Sequence, residues 1–224
     1  MARQNTYKLL LERGFIYQTT DEGALTSLFG QSEVVGYVGF DATADSLHVG
    51  HLLPLMALSW MDRTGHRPIA LGGGGTSMIG DPSGRSEARK LMDSEAIERN
   101  LAGIRPQMAK FLSLDDGRAL LLDNSQWLLD LNYVGFIRDI GRHFSVNRMI
   151  AAECYKSRLE GGLSFLEFNY MVMQAYDFLK LYETRLNVLQ LGGQDQWGNI
   201  VAGVELIRRV HGGEAYGLTM PLLL

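Results

Sequence analysis

Four short apolar runs alternate with longer segments of helical spacing, and this alternation most constrains the fold. Residues 34–40, 68–71, 119–122 and 188–191 read as buried strands. Residues 3–13, 49–64, 86–113, 165–182 and 197–210 carry helix-compatible patterns. Strands separated by helices line up in parallel, with helices covering both faces of the sheet. The expected fold is therefore α/β, a doubly wound parallel sheet with a less regular helical insertion at about 124–164. Ligands of such sheets bind beyond the carboxyl ends of the strands. The segments richest in polar chemistry begin there, at 39–51, 72–85, 123–126 and 192–196.

The length of 224 residues fits one domain, or one and a fraction, with a substantial core. One cysteine, Cys154, excludes an intrachain disulfide framework and fits a reducing compartment. The net charge of −4 makes any RNA contact a matter of a local patch. No apolar stretch reaches membrane-spanning length. Residues 1–12 lack the apolar core of a signal peptide, and Glu12, Asp21 and Glu22 argue against a transit peptide, so a cytoplasmic location is expected.

Gly72-Gly73-Gly74-Gly75 invites comparison with phosphate-binding loops. The Walker pattern needs a Gly-Lys-Ser/Thr closure, whereas Thr76-Ser77 follow here without a lysine. The dinucleotide fingerprint fails because position 77 is serine. The run is expected to be a strand-to-helix turn whose backbone comes close to a ligand or a neighbour. Asp81 is expected either to cap the next segment or to point into a pocket.

Tyr170, Gln174 and Asp177 recur at i, i+4 and i+7 on an otherwise apolar helix. Buried polar groups need partners. These three either satisfy one another in the core or line a pocket.

His48-Val49-Gly50-His51 opens the apolar 49–64 helix. Two imidazoles at a helix start form a compact cationic or donor-rich patch, aligned with the free N–H groups and the positive dipole end. That arrangement suits phosphates. The pair could also be plain surface residues or metal ligands, but zinc needs further ligands at compatible spacing. No metal site is expected.

Three stretches carry a family resemblance. His48-Val49-Gly50-His51, preceded by Gly39-Phe40-Asp41-Ala42-Thr43-Ala44-Asp45-Ser46-Leu47, resembles the signature of class I aminoacyl-tRNA synthetases. Tyr170-Met171-Val172-Met173-Gln174-Ala175-Tyr176-Asp177 resembles the amino-acid-binding helix of the tyrosyl-tRNA synthetase branch. Gly192-Gly193-Gln194-Asp195-Gln196 is similar to that branch's ribose-holding loop.

The resemblance spans essentially the whole chain and implies a Rossmann-like catalytic domain that forms tyrosyl-adenylate from L-tyrosine and ATP, releases pyrophosphate, and charges tRNA(Tyr). It implies that Asp81, Tyr170 and Gln174 surround the substrate ammonium. Asp177 and Tyr37 hydrogen-bond the phenol, while Gln190 and Gln196 face the amino acid. Thr43 and His48 would attend the departing pyrophosphate. Gly50 and His51 would hold the ribose and adenine side, Gly39 and Asp41 would help to place ATP, and Gly193 and Asp195 would hold its ribose. Magnesium would accompany ATP, and a homodimer is implied. The attacking carboxylate is already ionised at neutral pH, so no general base is needed. Catalysis then rests on positioning and on stabilising phosphate charge.

The sequence departs from the family in places. A lysine-containing second signature loop is expected shortly after residues 220–224, and a helical anticodon-binding module beyond it. Neither is in this sequence, as expected of a catalytic-domain fragment (residues 1–224) that binds tyrosine but charges tRNA poorly. Val38 stands where many relatives carry cysteine. Pro54 is expected to be tolerated cheaply in the first turns of its helix. Arg142, His143, Arg148, Lys156 and Arg158 make the insertion locally basic. This is either a solvated face or, by the resemblance, a dimer interface with acceptor-stem contacts. Two other functions stay open: a different nucleotidyl-transferring enzyme, including a tryptophan-specific relative, and a non-catalytic RNA-binding adaptor on the same scaffold.

Overall fold

The computed structural model describes residues 4–83, 92–152, 155, 158, 159 and 161–223. Gly84, Arg85, the 86–91 part of the predicted 86–113 helix, Cys154 and Lys156 lie outside the described residues.

Six strands form one sheet: β1 (Gln18–Thr19), β2 (Val35–Phe40), β3 (Arg67–Gly72), β4 (Leu120–Asp123), β5 (Leu189–Gly193) and β6 (Tyr216–Met220). Their order is β1-β6-β5-β2-β3-β4. All neighbours are parallel except the β1–β6 pair. The expected α/β parallel architecture is present, with a short antiparallel edge strand added to it. Reading from β4, the parallel order reverses between β2 and β5, and a crevice opens at the carboxyl ends of such a pair.

The helices are α1 (Thr6–Glu12), α2 (Glu22–Gln31), α3 (Val49–Arg63), α4 (Ser94–Met108), α5 (Ser125–Leu128), α6 (Tyr133–Asp139), α7 (Val146–Ile150), α8 (Phe165–Arg185) and α9 (Trp197–His211). Alternation along the strands sorts them onto two faces. Val38, Phe40, Ala70 and Leu191 join a core with Leu58 and Met61 of α3 and Ile104 of α4. Tyr37, Ile69 and Leu71 join a second core with Phe178 of α8 and Leu206 of α9. Between β4 and α8 the described residues include α5, α6 and α7.

Local chemistry explains the boundaries. Gly14, at φ 73°, follows α1 as a stop residue. Ser164 and Glu167 form a reciprocal capping box at the start of α8. That helix runs three residues past its predicted end and stops at Leu186, the one non-glycine with positive φ among the described residues. Pro54 is the sixth residue of α3, not one of its first four. It therefore has no N–H to offer the Gly50 carbonyl, and the helix forgoes that one bond. Among the described residues, no helix is long and apolar enough to cross a membrane.

Candidate active site

A cavity of about 900 Å³ opens at the β2–β5 switch point. Every residue that the sequence assigns to amino acid or ATP lines it: Tyr37, Gly39, Asp41 and Thr43 from β2 and its loop, then His48, Gly50 and His51 from the start of α3. Asp81 follows, with Tyr170, Gln174 and Asp177 on one face of α8. Gln190, Gly193, Asp195 and Gln196 complete the wall from β5 and its loop.

Tyr37 and Gln190 are register partners on adjacent strands. The Tyr37 hydroxyl and the Oε1 atoms of Gln190 and Gln174 are buried without a hydrogen-bond partner among the described residues. Three orphaned polar atoms around one cavity mark it as a site for a polar ligand. Burial, and then the charge of Asp177, hold the Tyr37 hydroxyl well above its usual titration range, so it stays a donor.

Asp177 is 3% exposed. Its Oδ1 accepts from Trp127 Nε1 at 2.7 Å and its Oδ2 from Asn124 Nδ2 at 2.8 Å. Burial pushes its carboxyl up to about 7, against the two donors. Neither donor emerged as a site residue from the sequence, although Asn124 falls in the flagged 123–126 segment. Asp81 is raised to about 6, first by burial and then by the charge of Asp41. Its Oδ1 accepts from the Ser83 amide at 2.8 Å, and its Oδ2 from Gln196 Nε2 at 2.7 Å. Gln196 Nε2 also donates to Asp195 Oδ2 at 2.9 Å, so one amide links the Asp81 turn to the β5 loop. Asp81 thus lines the cavity while bracing its own turn. Neither Asp195 nor Asn199 caps α9; the N-cap position is Gln196, without a side-chain cap bond.

His48 is the N-cap of α3. Its Nδ1 accepts from the Gly50 amide at 3.1 Å, and His51 Nδ1 accepts from the His48 amide at 3.3 Å. The rings stack with centroids 3.8 Å apart. With both Nδ1 atoms accepting, Nε2 is the position at which each ring donates.

The glycine run packs against a neighbour. The Gly74 amide donates to Asp123 Oδ1 at 3.0 Å and the Gly75 amide to Asn124 Oδ1 at 2.8 Å. A Cβ on Gly74 would collide with the Asp123 carboxylate. In the insertion, Arg142 and Arg148 are exposed. Arg158 is not part of a basic surface: its side chain is 6% exposed and paired with Glu167 at 2.9 Å. A second cavity of about 550 Å³ separates the insertion from α9, with Arg148, Trp197 and Arg209 among its lining residues. No group of three metal-ligating side chains forms among the described residues.

A mostly parallel sheet with this strand order, a cavity at its switch point and a histidine-capped helix at the mouth have the architecture of a class I synthetase fold. The profile of the family described as "tRNA synthetases class I (W and Y)" matches residues 31–224. The chain belongs to this family. It is 55% identical over 219 residues to a tyrosine–tRNA ligase of Acetivibrio thermocellus, covering 98% of this chain and 54% of that protein. It is 58% identical over 217 residues to one from Desulfosudis oleivorans, covering 96% and 50%. The chain spans about half the length of these curated relatives. Among solved structures, a C-terminally truncated mitochondrial tyrosyl-tRNA synthetase of Aspergillus nidulans superposes with a TM-score of 0.90 at 31% identity, covering 99% of this chain and 70% of that one. A tyrosyl-tRNA synthetase from Archaeoglobus fulgidus, solved with L-tyrosine, shares the fold at a TM-score of 0.74 and 22% identity, covering 99% and 65%.

Proposed function

We propose that this chain is the catalytic part of a cytoplasmic tyrosine–tRNA ligase. It joins L-tyrosine to ATP as tyrosyl-adenylate, releases pyrophosphate, and passes the tyrosyl group to tRNA(Tyr). The observation that carries this reading is the pairing of an unpartnered Tyr37 hydroxyl with the Asp177 carboxylate in one cavity. A phenol is both donor and acceptor. Its O–H donates to Asp177 while its oxygen accepts from Tyr37. An indole N–H can only donate and leaves Tyr37 unsatisfied, which disfavours tryptophan.

The remaining roles follow from the same chemistry. An ammonium has three donors, and Asp81, Gln174 and Tyr170 offer acceptors for them. Gln190 and Gln196 complete the amino acid side. Asp195 accepts from the ribose hydroxyls, and Gly193 leaves room for the sugar beside it. Gly39, Asp41, Gly50 and His51 border the adenosine. Thr43 and the His48 Nε2–H stabilise charge on the departing pyrophosphate. Magnesium enters with ATP as part of the substrate, needing no all-protein cage.

The insertion supports two partner assignments. Tyr133 and Val134 of α6 are 67% and 73% exposed, and with Leu129 and Ile137 they form an apolar surface suited to a second copy of the chain. Arg142 and Arg148 supply a local positive patch for the acceptor end of tRNA.

Calorimetric titration with L-tyrosine and L-phenylalanine tests the central assignment. Tyrosine is expected to bind and phenylalanine to give no detectable heat. Equal binding of both, or of neither by a folded sample, would overturn it.

A further inference from the structure

The loop from Asp41 to His48 has no regular structure, and residues 43–46 are exposed. Among the described residues, no backbone–backbone hydrogen bond outside the regular elements involves residues 42–47. Side chains hold the loop instead. Asn100 Nδ2 donates to the Ala42 carbonyl at 2.7 Å. Gln107 works at both ends: Nε2 donates to the Asp45 carbonyl at 3.2 Å, and Oε1 accepts from the Leu47 amide at 3.1 Å. Ser77 Oγ accepts from the Ala42 amide at 2.9 Å on the opposite side.

Between Asn100 and Gln107 lies Gly103. A Cβ there would sit 2.5 Å from the Asp45 carbonyl oxygen, so the loop backbone occupies the space a side chain would take. Residues 100, 103 and 107 share one face of α4. A glycine within a helix is unfavourable relative to alanine, and here it admits the loop. None of these residues lines the cavity.

We infer that this face of α4 is a splint for the nucleotide side of the site. Asn100, Gly103 and Gln107 are positioning residues that hold the 41–48 loop ready to present Thr43 and His48 to the ATP phosphates. The inference rests on the assignment of that loop to ATP. Its physical basis is preorganisation: a loop ordered in advance removes its ordering entropy from the cost of binding. The amino acid half of the cavity is built on α8, β2, β5 and the turn that carries Asp81, and it meets the loop at Asp41, whose Oδ1 accepts from the Tyr170 hydroxyl at 3.5 Å, so the splint acts on ATP far more than on tyrosine.

Gly103→Ala and Gln107→Leu test this with two readouts. The first is hydrogen exchange of the 42–47 amides. The second is calorimetry of ATP binding to the chain saturated with tyrosinol, which lacks the reacting carboxylate, alongside titration with tyrosine itself. Both variants are expected to speed loop exchange and weaken ATP about tenfold, with tyrosine affinity within about twofold of the parent. Gly103→Ala is the sharper case, because a purely helical role predicts equal or greater stability and unchanged ATP affinity. Unchanged loop exchange, unchanged ATP affinity, or equal weakening of both ligands would overturn the splint. A parent chain that binds tyrosine but no ATP would overturn the assignment of the loop to ATP. The exchange comparison then decides by itself whether α4 orders the loop.

Discussion

Trp127 Nε1 donates a 2.7 Å hydrogen bond to Oδ1 of Asp177, and the indole thereby aims the one buried carboxylate of α8 that lines the cavity. With Asn124 on the other oxygen, the carboxylate is oriented before any ligand arrives. In the proposed reading it then accepts a third hydrogen bond, from the substrate phenol.

Asp177→Ala is expected to remove the preference for tyrosine over phenylalanine. Hydrogen bonds to charged groups are worth about 1.5–3 kcal/mol, so tyrosine should bind about 10- to 150-fold more weakly, with phenylalanine little affected. A variant that still rejects phenylalanine fully would show that the phenol is read elsewhere.

If Asp81 and Asp177 hold tyrosine as proposed, its binding depends on pH. Their carboxyls lie at about 6 and about 7 in the free protein. An ammonium favours ionised Asp81, so binding should release protons, and affinity should rise with pH. From Asp81 alone, the affinity at pH 5 is expected to be about tenfold below that at pH 7. Titration in buffers of different ionisation enthalpy counts the protons released. For folding the sign is opposite. A carboxyl raised on folding contributes most stability below its ordinary value of 3.8 and loses it as pH rises to about 7.

His48 caps α3, and in the proposed assignment it also donates to the ATP phosphates; the two roles are separable. His48→Asn keeps an N-cap acceptor but removes the Nε2–H, whereas His48→Ala loses both. Chemical denaturation should find the alanine variant about 1 kcal/mol less stable and the asparagine variant close to the parent. Pyrophosphate exchange should fall about 100-fold in both. Equal activity of the parent and His48→Asn would remove His48 from the phosphate site.

Arg158 and Glu167 form an almost fully buried ion pair that anchors the capping box of α8. The guanidinium, foremost among the causes, holds the Glu167 carboxyl below its usual range, so this stability exists at neutral pH and is lost as pH falls through that lowered value. Arg158→Met is expected to cost about 3–5 kcal/mol in a urea titration, because it strands a buried charge. Adding Glu167→Leu should restore much of that loss. An additive double variant would rule out coupling.

Val134→Asp places a charge on the most exposed apolar residue of α6. If the insertion joins two copies of the chain, light scattering should find a dimer for the parent and a monomer for this variant, with tyrosine binding retained. A parent that remains monomeric at every concentration removes the dimer assignment.

Much of the site was legible because its signals are local. Residues 170, 174 and 177 share a face through helical period alone, and His48 and His51 are three apart at a helix start. The glycine-rich segments follow apolar runs, which places them at strand ends. Strands β1 and β6 and helix α2 were missed for equally local reasons. Gly217 breaks the apolar pattern of β6, and the two residues of β1 are a strand only because β6 pairs with them.

By itself, the sequence determined the alternation of elements, the parallel sheet and the residues that face its carboxyl edge. Each depends on spacings of a few residues, where backbone period is enough. Tertiary structure alone decided who partners whom across the site. Asn124 and Trp127 reach Asp177 from 53 and 50 residues away, and Gln196 reaches Asp81 across 115. It also withdrew Arg158 from the surface into a buried pair and set the Gly74 backbone against Asp123. Such contacts arise from strand order and register, which bring distant segments within hydrogen-bonding distance and which no short-range pattern encodes.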